Sequence, residues 1–322
     1  MKKILEAQLP NAKEKLMISI REAFGQSLLD LGKKNEDIVL VSCDLKAATK
    51  ADYFFQAFPS RSFEVGIAEA NAIGVAAGLS MAGSKPVLSS FGAFLTGKNV
   101  EIRTSISYNN APVVLIGTHG GLIGPDGATQ SGIQDISIMR SMPRMKVFQP
   151  SSPILTSKIL EHCISLDCPS YIRIARNEVP EIYEEQFSFI EGDPIFHCYN
   201  SEIILLSSGP MVHNCIEATT LLKENNNIEV GVIDIPSISP FNQKEFFKLI
   251  KNSKFLFSVE DHMTQGGLGS MIAEILCSSE LNTKLFIKGL DGFVSSGKPI
   301  DLEKKYSLDP KSITDFVLSK IK

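Results

Sequence analysis

Apolar residues in this chain come in short, unbroken runs. "IVLVSCD" (38–44), "KPVLSSF" (85–91), "APVVLIGTH" (111–119), "MKVFQPSS" (145–152) and "PSYIRIAR" (169–176) recur along the first half, many of them rich in Val and Ile. They do not alternate with polar residues, which suits strands covered on both faces. Between several of them the apolar positions take helical spacing. "REAFGQSLLDLGKKN" (21–35) ends near Gly32, and "GIQDISIMRSMP" (132–143) is stopped by Pro143. From about residue 180, "PEIYEEQFSFIEGDPIFHCYN" breaks the rhythm with prolines and acids. A second series follows, with strands predicted in 202–210, 228–238, 254–262 and 283–290 and helices in 211–225, 241–251 and 266–278. Strands alternating with helices predict βαβ units. The expected fold class is therefore α/β, with two domains, each a mainly parallel sheet flanked by helices. The expected boundaries are an N-terminal extension at 1–17, a first domain at 18–180, a linker at 181–200 and a second domain at 201–322.

Composition narrows the function classes. The 322 residues suffice for two domains of ~150 residues each. The net charge of −4 leaves no basic footprint, so nucleic acid is not an expected partner. The two N-terminal lysines are not followed by an apolar stretch, and no run approaches the ~18 apolar residues of a membrane helix, so neither a signal peptide nor a span is expected. The six cysteines lack any C-x-x-C spacing. They read as reduced thiols of a cytoplasmic protein rather than a disulfide framework or a metal site.

Ligands of open α/β sheets bind beyond the carboxyl ends of the strands. Polar residues gather there: Asp44, Ser89 and Ser90 before Phe91, the Thr118-His119 pair, Ser151-Ser152, and Arg176-Asn177. Strands must end somewhere, and polar residues mark ends in any fold, so the pattern acquires meaning only with a specific anomaly. Glu69 is one. It lies in "FEVGIAEANAIGVAAGLS" (63–80), where nearly every neighbour is small and apolar. A Glu is almost never fully buried unpaired. Either the stretch lies at the surface, or the carboxyl has a partner that the sequence does not contain. A buried carboxyl has a tunable acidity and can exchange a proton with a ligand nitrogen.

That same stretch resembles the pyrimidine-binding signature of thiamine diphosphate enzymes of the transketolase family. Further matches follow in order: "VSCDLKAATKADYFFQAFPSRSF", "SSFGAFLTG", "EIRTSISYNNAPVVLIGTHGGLIGPDGATQ", "MRSMPRMKVFQPSSP" and "YIRIAR", then "VEDHMTQGGLGSMIAEIL" and "GLDGFVSSGKP" in the second half. The resemblance covers about residues 18–310. It implies that Glu69 hydrogen-bonds N1′ of the cofactor's aminopyrimidine, and that Phe91 and Phe94 form the wall on which that ring stacks, Phe94 the favoured one. Asp44 is assigned to the cofactor side as well. For a sugar phosphate it implies Arg21, His119 and Arg176 at the phosphate and Asp126 on sugar hydroxyls, with Gln130 at the donor's reacting end and His119 joining Glu69 as a catalytic candidate. "EDHMTQGGLGS" is expected near a subunit interface, without assigned chemistry and with His262 outside catalysis.

The family's metal- and diphosphate-binding signature, Gly-Asp-Gly followed later by Asn, does not occur in the chain; "EGDPIF" places a proline where the second glycine is needed. No metal ligands are therefore assigned here. The resemblance is to the small subunit of a split transketolase, a transferase whose separately encoded large subunit would hold Mg²⁺ and the diphosphate, in an α₂β₂ heterotetramer. Four departures from the family pattern point to a specialised sugar. Gln130 replaces a histidine, Ala70 replaces a glutamine, the loop at 119–127 is one residue short, and Ala48 or Thr49 stands where a phosphate-site serine is usual. The alternatives are a pyruvate-using acyl transfer, as in deoxyxylulose-phosphate synthase or the β subunit of a 2-oxo acid dehydrogenase, and a non-catalytic paralogue.

Overall fold

The computed structural model describes residues 17–198 and 201–321. Residues 1–16 of the expected N-terminal extension, and positions 199, 200 and 322, lie outside the described residues. The first domain is built on a seven-stranded sheet. From one edge its strands are Ser237–Ser239, Lys146–Phe148, Ser170–Ala175, Val114–Gly120, Lys85–Phe91, Ile38–Ser42 and Ser62–Glu64. All neighbours are parallel except the first pair. The second domain has five strands in the order Lys284–Leu290, Phe255–Met263, Ile203–Ser207, Gly231–Asp234 and Ile195–His197, the last antiparallel. The α/β class and the two mainly parallel sheets are as the patterning predicts.

The unbroken apolar runs have a direct cause. Strands Ile38–Ser42, Val114–Gly120 and Ser170–Ala175 are buried along their whole length. On one face Leu40, Ile116 and Ile172 pack under helices Ile20–Lys34 and Pro153–Ser165, through Phe24, Leu28, Leu155 and Ile159. On the other, Val41, Leu88 and Leu115 meet Ala72, Ile73 and Ala76 of helix Glu69–Met81. Each fully buried Leu or Ile contributes about 1.5–3 kcal/mol. Ser19 and Ser152 start the two outer helices by accepting hydrogen bonds from Glu22 N and Leu155 N (3.4 and 3.2 Å), and Pro153 occupies the first turn where a missing N–H costs nothing.

Two features escape the pattern. Strand Ser237–Ser239 leaves the second half of the chain to pair with Lys146–Phe148 of the first sheet. Ile195–His197, inside the stretch read as a linker, is a strand of the second sheet, and Glu191 before it accepts from Lys146 Nζ (2.7 and 2.9 Å) and pairs with His162 Nε2 (2.7 Å). The apolar core of the first domain runs on into Leu206, Ile233 and Leu256 of the second. Glu260, Asp261 and His262 are buried: Asp261 and His262 face Arg173 and Asp135 of the first domain, while Glu260 accepts from Leu268 N and Gly269 N of its own. No helix is long and apolar enough to cross a membrane among the described residues.

Candidate active site

Glu69 is the first residue of helix Glu69–Met81, which no side chain caps; a carboxylate there complements the exposed N–H groups of the first turn. The side chain is not at the surface: Glu69 is 8% exposed. Ser90 Oγ donates to its Oε1 at 3.1 Å, and no cation pairs with it among the described residues. The Cys43 thiol is pushed up to about 12, by burial first and then by the carboxylates of Glu69 and Glu64.

Strand Lys85–Phe91 delivers the next group. Phe91 and Phe94 stack with centroids 5.2 Å apart at 25°; Phe91 is buried and Phe94 half-buried, so Phe94 keeps part of its ring free. Phe91 also faces the His119 imidazole, with centroids 3.7 Å apart. This contact joins Glu69 and Ser90 to the charged end of the site.

His119 sits at the end of strand Val114–Gly120 with φ +59°, a left-handed conformation uncommon for a non-glycine residue. Its Nδ1 lies 3.0 Å from Thr118 Oγ1 and its Nε2 3.8 Å from Asp126 Oδ2. Burial first, then the charges of Arg21 and Arg176, push its pKa down to about 3, so the imidazole is neutral near pH 7. Arg176 donates to the Asp126 carboxylate and to Ile123 O (3.3 Å). Arg21 Nη1 donates to Ala48 O (2.7 Å), while its buried Nε–H has no partner. Burial, followed by the repulsion of Arg176, lowers the Arg21 pKa, with Asp126 opposing. Arg176, paired with Asp126, and Arg21, within electrostatic range of both, thus surround a neutral imidazole. That arrangement leaves net positive charge and an orphan donor, which suits an anion such as phosphate.

The structure therefore brings Arg21, His119, Asp126 and Arg176 into one cluster and joins it through Phe91 to Glu69. Gln130 lies half-buried on the same loop as Asp126, its N–H donating to Gly127 O (3.3 Å). Asp44 stands somewhat apart. It is exposed, at φ +60°, and its backbone N–H donates to Glu64 Oε1 (2.7 Å), which also accepts from Gly66 N (3.1 Å). Glu64 thereby fastens two strand ends beside Glu69, a role sequence reasoning missed. It also missed Arg173, although a charge inside the apolar run "YIRIAR" was a visible signal: such a residue must find a buried counter-charge.

Comparison with known proteins places both halves of the chain in one family. Residues 17–181 match the transketolase pyrimidine binding domain and residues 195–313 the transketolase C-terminal domain. A Methanocaldococcus jannaschii protein described as a transketolase C-terminal section is 35% identical over 309 residues, 94% of this chain and 96% of that protein. An Actinobacillus succinogenes protein, one of the subunits of an apulose-4-phosphate transketolase, is 33% identical, over 89% of this chain and 93% of its own length. A solved split gene transketolase, described as an inactive beta4 tetramer, superposes with a TM-score of 0.86 at 33% identity, covering 94% of this chain and 98% of that one. With both family domains in order along its length, the chain belongs to the transketolase family, of which it carries the pyrimidine-binding and C-terminal domains.

Proposed function

We propose that this chain is the small subunit of a split, thiamine diphosphate-dependent transketolase-like enzyme that transfers a two-carbon or acyl unit from a ketose donor to an aldose acceptor. The observation that carries the reading is Glu69: a carboxyl buried with no cation paired to it among the described residues, at the strand-end edge that also holds a half-free aromatic ring. When bound, thiamine diphosphate supplies an electron sink for breaking a carbon–carbon bond beside a carbonyl. Glu69 would hold a proton at the pyrimidine N1′, its carboxyl kept in place by Ser90. Phe94 would offer the stacking face. Arg21 and Arg176 would grip a sugar phosphate, since the guanidinium fork matches phosphate oxygens. Neutral His119 would add a hydrogen bond beside that phosphate, Asp126 would hold sugar hydroxyls, and Gln130 can hydrogen-bond the donor without carrying a proton at neutral pH. Mg²⁺ and the diphosphate would be held mainly by a separately encoded large subunit. Support for such a partner comes from the face of helix Glu69–Met81 on which Gly74 and Gly78 front open space, flanked by exposed Ile67 and Met81. The name of the Actinobacillus relative makes apulose 4-phosphate a donor worth assaying.

The test mixes purified chain with the large subunit, thiamine diphosphate and Mg²⁺. The chain alone should show no turnover and the mixture should, on one ketose phosphate; robust activity of the single chain would overturn the split enzyme. Full activity on xylulose 5-phosphate would argue against a specialised sugar, and carbon dioxide release from pyruvate would favour the acyl-transfer alternative. Glu69→Gln should cut turnover by about 10²–10⁴-fold while assembly persists; unchanged turnover would remove Glu69 from the chemistry.

A further inference from the structure

We infer that the second domain positions the substrate-side loop of the first, residues 120–133, holding its base through the Asp261–Arg173 pair and its tip through Ser296 and Gly297. The inference rests on the proposed role of that loop's Asp126 in holding substrate, and it gives the C-terminal domain a task in the reaction.

The base is built from long-range contacts. Arg173 Nη1 donates to Asp261 Oδ1 at 2.6 Å, and Nη2 donates to Asp261 O (3.1 Å) and to Gly132 O (2.8 Å). Gly132 N in turn donates to His119 O, and Gly121 N to Gly132 O, both at 2.9 Å. One guanidinium therefore links the second domain to the strand end that presents His119. The fit leaves no slack. A Cβ at Gly120 would lie 2.7 Å from Arg173 Nε, and one at Gly121, whose φ is +79°, would collide with the Asp261 carboxylate. Met263 N donates to Ile133 O at 2.9 Å, at the far side of the loop.

The tip is held separately. Ser296 Oγ donates to Pro125 O at 2.6 Å, and Gly297 N to Gly124 O at 3.4 Å, immediately before Asp126. Between base and tip, Leu122 is buried in the second domain's own core, against residues such as Val259 and Val294. Loop and second domain thus share a core as well as hydrogen bonds. Asp126 faces His119 and Arg176 on one side, while its chain neighbour is fastened to the second domain on the other. Its carboxylate can hold one place only while both attachments persist.

Ser296 is exposed and its loss threatens no core, so it serves as the probe. In the assembled enzyme with large subunit and thiamine diphosphate, Ser296→Ala should raise KM for the ketose phosphate by roughly 3- to 10-fold, the scale of one net hydrogen bond, with kcat and cofactor affinity within about twofold. Ser296→Thr should restore KM. In the full-length chain without partner or substrate, amide hydrogen exchange of residues 121–132 should accelerate in Ser296→Ala and return in Ser296→Thr. Unchanged exchange would overturn the inference, even if no ketose proves to be a substrate and the proposed function itself fails. Faster exchange with an unaltered KM would overturn it as well, because the loop would then be held without positioning substrate.

Discussion

Arg173 and Arg176 stand three positions apart at the end of the same strand region and face opposite fates. The side chain of Arg173 is fully buried; that of Arg176 is 30% exposed. Arg173 Nε meets both oxygens of Asp135 at 3.1 Å, and its other nitrogens reach Asp261 and Gly132 O. Burial alone would lower its pKa, but Asp135 and then Asp261 outweigh that and raise it. Arg176 instead pairs with a single carboxylate, Asp126, within electrostatic range of Arg21. One guanidinium is saturated by two carboxylates that other elements bring to it. The second belongs to a group with surplus positive charge and stays partly exposed. A saturated buried ion supports; an under-neutralised, half-exposed one remains free to bind. The strand delivers both, and only the surroundings separate their roles.

The largest expected effect lies with the saturated partner. Arg173→Met should cost about 3–5 kcal/mol of stability in denaturant unfolding, because it strands buried Asp135 and Asp261. A loss below about 1 kcal/mol would mean that the cluster is dispensable. Arg176→Met should show the reverse: stability within about 1 kcal/mol of wild type, and affinity for a sugar phosphate reduced by roughly 10- to 100-fold, as for a lost charge-assisted contact. Equal destabilisation by both substitutions would erase the contrast.

A third, buried group sharpens the comparison, because hydroxyls rather than a guanidinium meet it. Asp234 accepts from Ser151 Oγ and from Tyr183 OH (2.6 Å), and burial pushes its pKa up to about 7. A carboxyl whose pKa is raised on folding contributes stability that is fully present below its unfolded value, near 3.8, and is lost as pH rises towards 7. His197, 3.1 Å from Tyr183 OH, acts oppositely: burial lowers it to about 4, so its contribution is lost as pH falls from 6.5 through 4. His213, whose Nε2 lies 2.7 Å from Ser151 O, completes the set. Comparing wild type with Asp234→Asn cancels both histidines. The melting temperature of the variant minus that of wild type should climb steadily between pH 4 and pH 7. A difference independent of pH would show Asp234 ionised throughout. The smallest effect is spectroscopic. The His119 ring signals of the ligand-free chain should stay flat from pH 5 to pH 8, because the pKa lies near 3. A midpoint above 6 would mean that His119 is not buried in this way beside Arg21 and Arg176.

The sequence by itself determined what local pattern can encode. Continuous Val- and Ile-rich runs specified strands buried on both sides, the helical spacing between them specified a parallel α/β layout, and strand-end geometry put Asp44, Phe91, His119 and Arg176 on one edge. Glu69 was conspicuous because a carboxylate among small apolar residues violates the usual cost of burial. Tertiary structure decided the rest. That Phe91 is covered while Phe94 stays partly open depends on the His119 ring packing against the former. That Arg173 is a support follows from Asp135 and Asp261, 38 and 88 residues away along the chain, and that Ser296 touches the loop tip follows from a contact spanning 171 residues. Such pairings arise when two domains close on each other. No periodicity or spacing encodes them, because the energy that selects them belongs to buried charge and shared core rather than to neighbours in sequence.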